Sequence, residues 1–244
     1  MSLTTGRAPF STDPAGRFDV PMRATVYVEP FLRRVRAFIG ERTVLDSERV
    51  VLIHRTGQPP TYAFPEADAR ELPASPEPAV QGYVRVPWDA ATAWYEEEEQ
   101  VFGGHPRNPY HRIDCVRAQR RLRVEVATLL LVDTSDVICL YETSRAPQLY
   151  VARAAVRMEL LVASKTTSYC PYKGTASYWS ARLPGTDGTD GTDGAVVPDV
   201  AWSYNEPLPE STPIAGMLSF YAERTTMIQE TLTWFAAPQG RTYG

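Results

Sequence analysis

The sequence predicts a mainly β protein built from two related copies of one small domain, with the first copy shortened. Three observations support this prediction: a chain length of 244 residues, an internal repeat, and short apolar runs of strand length separated by turn residues. A chain of this length accommodates two domains of about 100 to 150 residues more naturally than one small module.

The internal repeat has a constant offset of 87 residues. Arg34-Val35-Arg36 aligns with Arg121-Leu122-Arg123, and Leu45-Asp46-Ser47 aligns with Val132-Asp133-Thr134. The same offset continues without a gap to residues 70 and 157, which are both arginine. Ungapped self-similarity over this distance indicates a duplicated domain.

The offset increases to 134 (216 − 82) where Gly82-Tyr83-Val84 aligns with Gly216-Met217-Leu218. The second copy therefore contains 47 residues (134 − 87) that the first copy lacks. We predict four segments in chain order: an N-terminal arm at residues 1–30, a shortened first copy at 31–117, a complete second copy at 118–235 and a tail at 236–244.

Alternating and β-branched runs predict the strands of each copy, for example at residues 35–45 and 122–132. Residues 90–102 and 214–232 are instead predicted to be helices, the second because its apolar residues have three-to-four spacing. Each copy is therefore expected to end in a helix, and the glutamates at residues 96–99 are expected at a solvated helix end. The Thr-Asp-Gly repeat at residues 186–194 predicts a loop.

Composition and charge argue against several classes of protein. A net charge of −4 provides no long-range attraction for nucleic acid. No apolar run has the length of a signal peptide core or a membrane span, so we expect a soluble, cytoplasmic protein without membrane contact. Cys115, Cys139 and Cys170 form no Cys-x-x-Cys pair, and the three histidines are scattered, so no metal site is expected.

A family resemblance rests mainly on the run SYCPYKGTASYWS at residues 168–180, with AWSYNEP at 201–207 and HPRNPYHR at 105–112. With these runs the chain resembles the domain-of-unknown-function 427 family, sometimes labelled nucleotidyltransferase-like, in a tandem two-copy form. The resemblance implies an incomplete β-barrel or β-tent fold, similar to methionine sulfoxide reductase B and the ligand-binding domain of cereblon. It implies no established activity, and the chain departs from the family pattern at Ser144 and Ala155.

Lys173 is a candidate site residue because lysine is rare in this chain. Lysine occurs only at positions 165 and 173, against 23 arginines (25 − 2). A compact ammonium suits a nucleophile, a base or a contact to an anion. The alternative is a lysine on a surface turn before Gly174.

Cys170 and several aromatic residues are further candidates around the same run. Cys170 is either a thiolate nucleophile assisted by the nearby lysine or a buried apolar side chain. Tyr172, Trp179, Trp202 and Tyr204 are candidate walls of an aromatic pocket, and core packing is the alternative.

Arg107 and His111 belong to a donor-rich segment between the copies. They are candidate contacts to an anionic ligand, and the segment is expected either to cover the site of the second copy or to act as a structural linker. Three function classes follow: a module that binds a small polar or anionic ligand in the second copy, a small-metabolite enzyme of a transferase-like kind that uses Cys170 or Lys173, and a structural or interaction protein without a ligand.

Overall fold

The computed structural model describes residues 26–55, 58–143, 145–183 and 195–229. Most of the predicted N-terminal arm, the Thr-Asp-Gly tract at residues 186–194 and the predicted tail at 236–244 lie outside the described residues.

The described residues form seventeen β-strands joined by turns and short 3₁₀ helices. The strands are, in chain order, β1 Val26–Pro30, β2 Val35–Ile39, β3 Arg42–Ser47, β4 Val51–Arg55, β5 Thr61–Pro65, β6 Ser75–Pro76, β7 Tyr83–Arg85, β8 Ala93–Glu96, β9 Glu99–Val101, β10 Ile113–Val126, β11 Leu129–Glu142, β12 Gln148–Tyr150, β13 Leu161–Cys170, β14 Gly174–Arg182, β15 Val196–Tyr204, β16 Leu218–Phe220 and β17 Thr226–Gln229. The 3₁₀ helices cover Glu66–Asp68, Trp88–Ala90, Arg153–Ala155, Met158–Leu160 and Pro209–Ile214.

The mainly β class predicted from the sequence is confirmed, but the two predicted terminal helices are wrong. Residues 90–102 contain the β8–β9 hairpin, and the described part of 214–232 contains β16 and β17. In β8, Trp94 and Glu96 are buried whereas Ala93 and Tyr95 are partly exposed, which is the two-residue period of a strand. Glu96 is therefore not at a solvated helix end: it accepts a 2.5 Å hydrogen bond from the hydroxyl of Tyr62.

The strands form four antiparallel arrangements, two in each half of the chain. The first half has the orders β3-β2-β8-β9 and β1-β4-β5-β7-β6, and the second half has β12-β11-β10-β17 and β13-β14-β15-β16. Because β1 pairs with β4, residues 26–30 belong with the first half rather than with the predicted N-terminal arm. No helix among the described residues is long and apolar enough to cross a bilayer.

Strand pairings of the two halves have the same register at the predicted offset. Val35 pairs with Ser47 and Leu122 pairs with Thr134, which are equivalent positions 87 residues apart (122 − 35 and 134 − 47). The β-bulge after Ala37 recurs after Val124. An exposed ion pair recurs too, since Arg34 contacts Asp46 and its equivalent Arg121 contacts Asp133.

Separate clusters of buried side chains stabilise the two halves. The first-half cluster includes Phe64 and Trp94, and the second-half cluster includes Leu122, Cys139 and Phe220. A smaller third cluster contains Leu140, Tyr150 and Tyr204. This third cluster lies next to the residues that carry the sequence signature, and it forms the floor of a cavity between the two sheets of the second half.

Candidate functional site

A cavity of about 660 Å³ opens between the strands of the second half. Its walls come from both sheets: β11 and β12 on one side, and β13, β14 and β15 on the other. The lining residues are Leu140, Glu142, Arg145, Ala146, Gln148, Tyr150, Tyr169, Cys170, Pro171, Lys173, Tyr178, Trp202, Tyr204 and Tyr221.

Aromatic side chains fix much of the cavity wall. The indole Nε1 of Trp202 donates a 3.0 Å hydrogen bond to the hydroxyl of Tyr150, which is only 1% exposed. The ring of Tyr221 lies 4.4 Å from that of Trp202 and is parallel to the ring of Tyr178. Burial, followed by the hydrogen bond with Tyr178, raises the pKa of Tyr221 to about 12, so this phenol stays neutral at physiological pH.

A buried ion pair forms another part of the wall. The ammonium of Lys173 donates a hydrogen bond to Oε2 of Glu142, and the two residues are 8% and 7% exposed. Nε2 of His111 lies 3.0 Å from the other carboxylate oxygen. Burial raises the pKa of the Glu142 carboxyl, but the hydrogen bond from His111 and the charge of Lys173 outweigh this effect and hold the pKa at about 2. Glu142 is therefore ionised at physiological pH.

The Cys170-Pro171-Tyr172-Lys173-Gly174 run is a tight turn that positions the lysine. Cys170 and Gly174 are the last cross-strand pair of the β13–β14 hairpin, and the amide of Lys173 donates to the carbonyl of Cys170. Gly174 has φ +92°, and an added Cβ would lie 3.3 Å from the carbonyl oxygen of Glu206. Glycine at this position therefore allows both the left-handed backbone and the close approach of the neighbouring loop.

A comparison with known families gives a match in this region. Residues 114–231 match the family described as a domain of unknown function (DUF427). The match includes the signature turn, the Glu142–Lys173 pair and all the strands that line the cavity. A search of curated proteins finds no match to the chain.

The donor-rich segment between the halves lies behind the cavity wall of the DUF427 region. The ring of His111 stacks on that of Tyr172 at 3.6 Å, and the Tyr172 hydroxyl accepts a hydrogen bond from the Asn108 amide. Arg107 lies 6.0 Å from the centre of the Tyr172 ring and forms an ion pair with Glu210. Arg107, His111 and Tyr172 thus support the wall and are not among the residues that line the cavity.

The same segment is attached to the first half of the chain through Tyr110. The Tyr110 hydroxyl donates a 2.6 Å hydrogen bond to Glu29, whose other carboxylate oxygen lies 2.7 Å from Nε2 of His54. The bond to Glu29, followed by burial, raises the pKa of Tyr110 to about 12. Consecutive residues, Tyr110 and His111, therefore contact acidic groups of opposite halves.

The structure brings together some of the predicted site residues and separates others. Lys173, Cys170, Trp202 and Tyr204 all line the cavity. Trp179 lies on the opposite face of β14, where it packs against the second-half core and under the guanidinium of Arg153 at 4.9 Å. Its neighbour in sequence, Tyr178, occupies the cavity face instead.

Glu142 and Arg145 are the charged residues of the cavity that sequence reasoning missed. Glu142 ends an apolar run and aligns with Arg55 in the repeat (142 − 55 = 87), so the reversed charge at equivalent positions was a usable signal. Arg145 is exposed at the cavity, and within the described part of the chain no carboxylate pairs with its guanidinium. Among those same residues, no three acidic, histidine or cysteine side chains are grouped so that they could hold a metal ion.

A smaller cavity of about 310 Å³ lies in the first half and includes Tyr62, Trp88 and Trp94 in its walls. The polar atoms of two of these rings have partners in the protein: Trp94 Nε1 donates to the carbonyl of Trp88, and the Tyr62 hydroxyl donates to Glu96. This arrangement fits aromatic core packing. The larger cavity combines aromatic walls with ionised groups and is the stronger candidate site.

Proposed function

We propose that the DUF427 region binds a small molecule with a planar apolar body and an anionic group in the 660 Å³ cavity. The observation that supports this proposal most directly is the combination of aromatic walls with Arg145, a cation that has no carboxylate partner among the described residues. Pockets of roughly 300–1,000 Å³ lined by aromatic side chains and a few polar groups are typical of small-ligand sites.

The apolar part of the ligand is expected to contact the rings of Trp202, Tyr178 and Tyr221. Trp202 and Tyr178 are partly exposed, so both retain surface that a ligand can cover. Their orientation is restricted, because Trp202 is held by Tyr150 and Tyr178 lies parallel to Tyr221. Rings that are already ordered lose little conformational entropy when a ligand binds.

Arg145, rather than Lys173, is expected to bind the anionic group. The charge of Lys173 is already balanced by Glu142, whereas the guanidinium of Arg145 can form two parallel hydrogen bonds to a carboxylate. Together, Lys173 and Glu142 give the cavity wall a polar pair with no net charge. Of the three roles predicted for Lys173, a nucleophile, a base or a contact to an anion, this assignment removes the anion contact.

Binding of aromatic acids tests the proposal. Benzoate and indole-3-carboxylate should raise the melting temperature and quench tryptophan fluorescence, and Arg145→Gln should weaken binding about tenfold or more because a charged hydrogen bond is lost. Arg117→Gln is the matched control, since Arg117 is exposed and paired with Asp136 on β10 and β11. Equal affinity for benzyl alcohol and benzoate, or equal binding by Arg145→Gln, would contradict the proposed anion contact.

The two halves are also proposed to be copies of one domain, of which only the second has kept the site. The shared registers of β2–β3 and β10–β11 support the duplication. In the first half, Arg55 stands at the position of Glu142 and binds the fully buried carboxylate of Glu77 with distances of 2.7 and 2.8 Å. A cavity with the same charges is therefore not available at the equivalent place.

A further inference from the structure

Stability alone does not explain why an ionised pair, Lys173 and Glu142, forms part of the cavity wall. Removing two charges from water costs about as much as their attraction returns, and apolar residues of similar volume often stabilise a protein equally well or better. The pair is not sealed in the core, because both residues line the cavity. An amine that faces a cavity and touches a carboxylate is instead suited to chemistry on a bound molecule.

We propose that Lys173 forms an imine with ligands that carry an aldehyde or ketone beside the planar apolar group. This inference rests on the proposed function, since the aromatic walls and Arg145 would hold such a ligand against the amine. Lysine is the side chain whose amine forms Schiff bases with carbonyl compounds. The carbonyl carbon would be positioned at Nζ of Lys173, at the same wall as Cys170 and Glu142.

The proposed reaction balances with the groups present. The Lys173 ammonium first loses one proton to water in the open cavity, and the free amine, which stays beside the ionised Glu142, then attacks the carbonyl carbon. The new N–C bond gives a carbinolamine after the nitrogen loses a proton and the oxygen gains one. The hydroxyl takes that proton back from water as the C–O bond breaks, so the products are a protonated imine, whose positive charge the Glu142 carboxylate balances, and one water molecule.

His111 acts as a positioning residue in this scheme. It contacts Oε1 of Glu142 and so leaves Oε2 directed toward the amine. The stack with Tyr172 keeps the imidazole in this place, at a ring separation of 3.6 Å. The carboxylate is therefore held from the side opposite the cavity.

The small number of amines in this chain makes the test simple. The full chain is incubated with 4-carboxybenzaldehyde and sodium cyanoborohydride, which reduces an imine to a stable secondary amine, and the modified peptides are identified by mass spectrometry. Only Lys165, Lys173 and the amino terminus can react. We expect modification at Lys173 at least about tenfold faster than at the exposed Lys165, because a bound ligand raises the effective concentration of the carbonyl at the site.

Two comparisons make the outcome decisive. Lys173→Arg should lose the selective label while Lys165 and the amino terminus still react slowly. Benzoate should compete with 4-carboxybenzaldehyde and slow the label at Lys173 only. Equal labelling of Lys165 and Lys173 by a protein that still binds benzoate would overturn the imine and leave the proposed function intact; no binding of any aromatic acid or aldehyde would overturn both.

Discussion

At the scale of single residues, Glu142 decides the chemistry of the cavity wall. It contacts both Lys173 and His111, and these contacts keep its carboxyl ionised although it is buried. Sequence reasoning selected the lysine because lysine is rare, but it could not select the glutamate. The chain contains 29 acidic residues, and only the packing of β11 against the turn between β13 and β14 shows which of them meets the amine.

This ion pair predicts a pH dependence of stability with a definite sign. The pKa of Glu142 is about 2 in the folded protein and 4.5 in the reference state, so the folded state favours the ionised form. The stabilisation is present above about pH 4.5 and is lost as the pH falls toward 2. This difference in pKa corresponds to about 3 kcal/mol of unfolding free energy.

Urea denaturation between pH 6 and pH 2 measures this effect. The reference is the double variant Glu142→Leu/Lys173→Met, in which an apolar pair of similar size replaces the ions. Between pH 6 and pH 2, the unfolding free energy of the wild type should fall by about 3 kcal/mol more than that of this variant. Parallel pH profiles for the two proteins would show that the pair does not stabilise the fold.

At the scale of elements, the sequence predicted the strands that repeat and misread the segments that end each half. Apolar and polar residues alternate over the last six residues of β10, and buried and partly exposed residues alternate over the first four of β2. Two-residue periodicity of this kind reveals a strand without any tertiary information. The β8–β9 hairpin includes four consecutive glutamates, and from the sequence they were predicted to lie at a solvated helix end. The decisive contact of Glu96 is with Tyr62, 34 residues away in the chain, and local periodicity cannot reveal it.

The positions of the cavity residues were predictable only in part for the same reason. Residues two apart on one strand share a face, so Trp202 and Tyr204 were correctly placed together. Nothing in the alternation says which face of β14 opens to the cavity, and Tyr178 rather than Trp179 lies there. That choice depends on how β14 packs against the second-half core.

The signature turn gives a prediction at this scale. Gly174→Ala should lower the free energy of unfolding by about 2 kcal/mol or more. The alanine would have to adopt an unfavourable φ of +92°, and its Cβ would lie 3.3 Å from the carbonyl oxygen of Glu206. Gly40→Ala is the control: Gly40 has φ +59°, an added Cβ meets no atom within 4 Å, and its repeat equivalent is Ala127 at φ +53°. Urea denaturation of both variants is the measurement, and equal losses would show that the loop at Glu206 adjusts without cost.

At the scale of the whole molecule, one short segment connects the two halves and completes the wall of the site. Tyr110 contacts Glu29 of the first half, and His111 contacts Glu142 of the second. The halves also touch directly, since the ring of Phe102 lies 5.4 Å from that of Tyr169. The first half therefore has a physical role even though the candidate cavity belongs to the second.

Tyr110→Phe tests this role, because it removes the hydroxyl that contacts Glu29 and leaves the ring beside His54. A lost hydrogen bond of about 1 kcal/mol should raise amide exchange in residues 105–112 about fivefold, while β10 and β11 remain protected. Because His111 is the next residue, the selective label at Lys173 should also slow. Tyr95→Phe in β8 is the control and should change neither readout. If Tyr110→Phe leaves exchange and labelling at their wild-type values, the segment is held by its contacts with the second half alone, and the first half does not support the site.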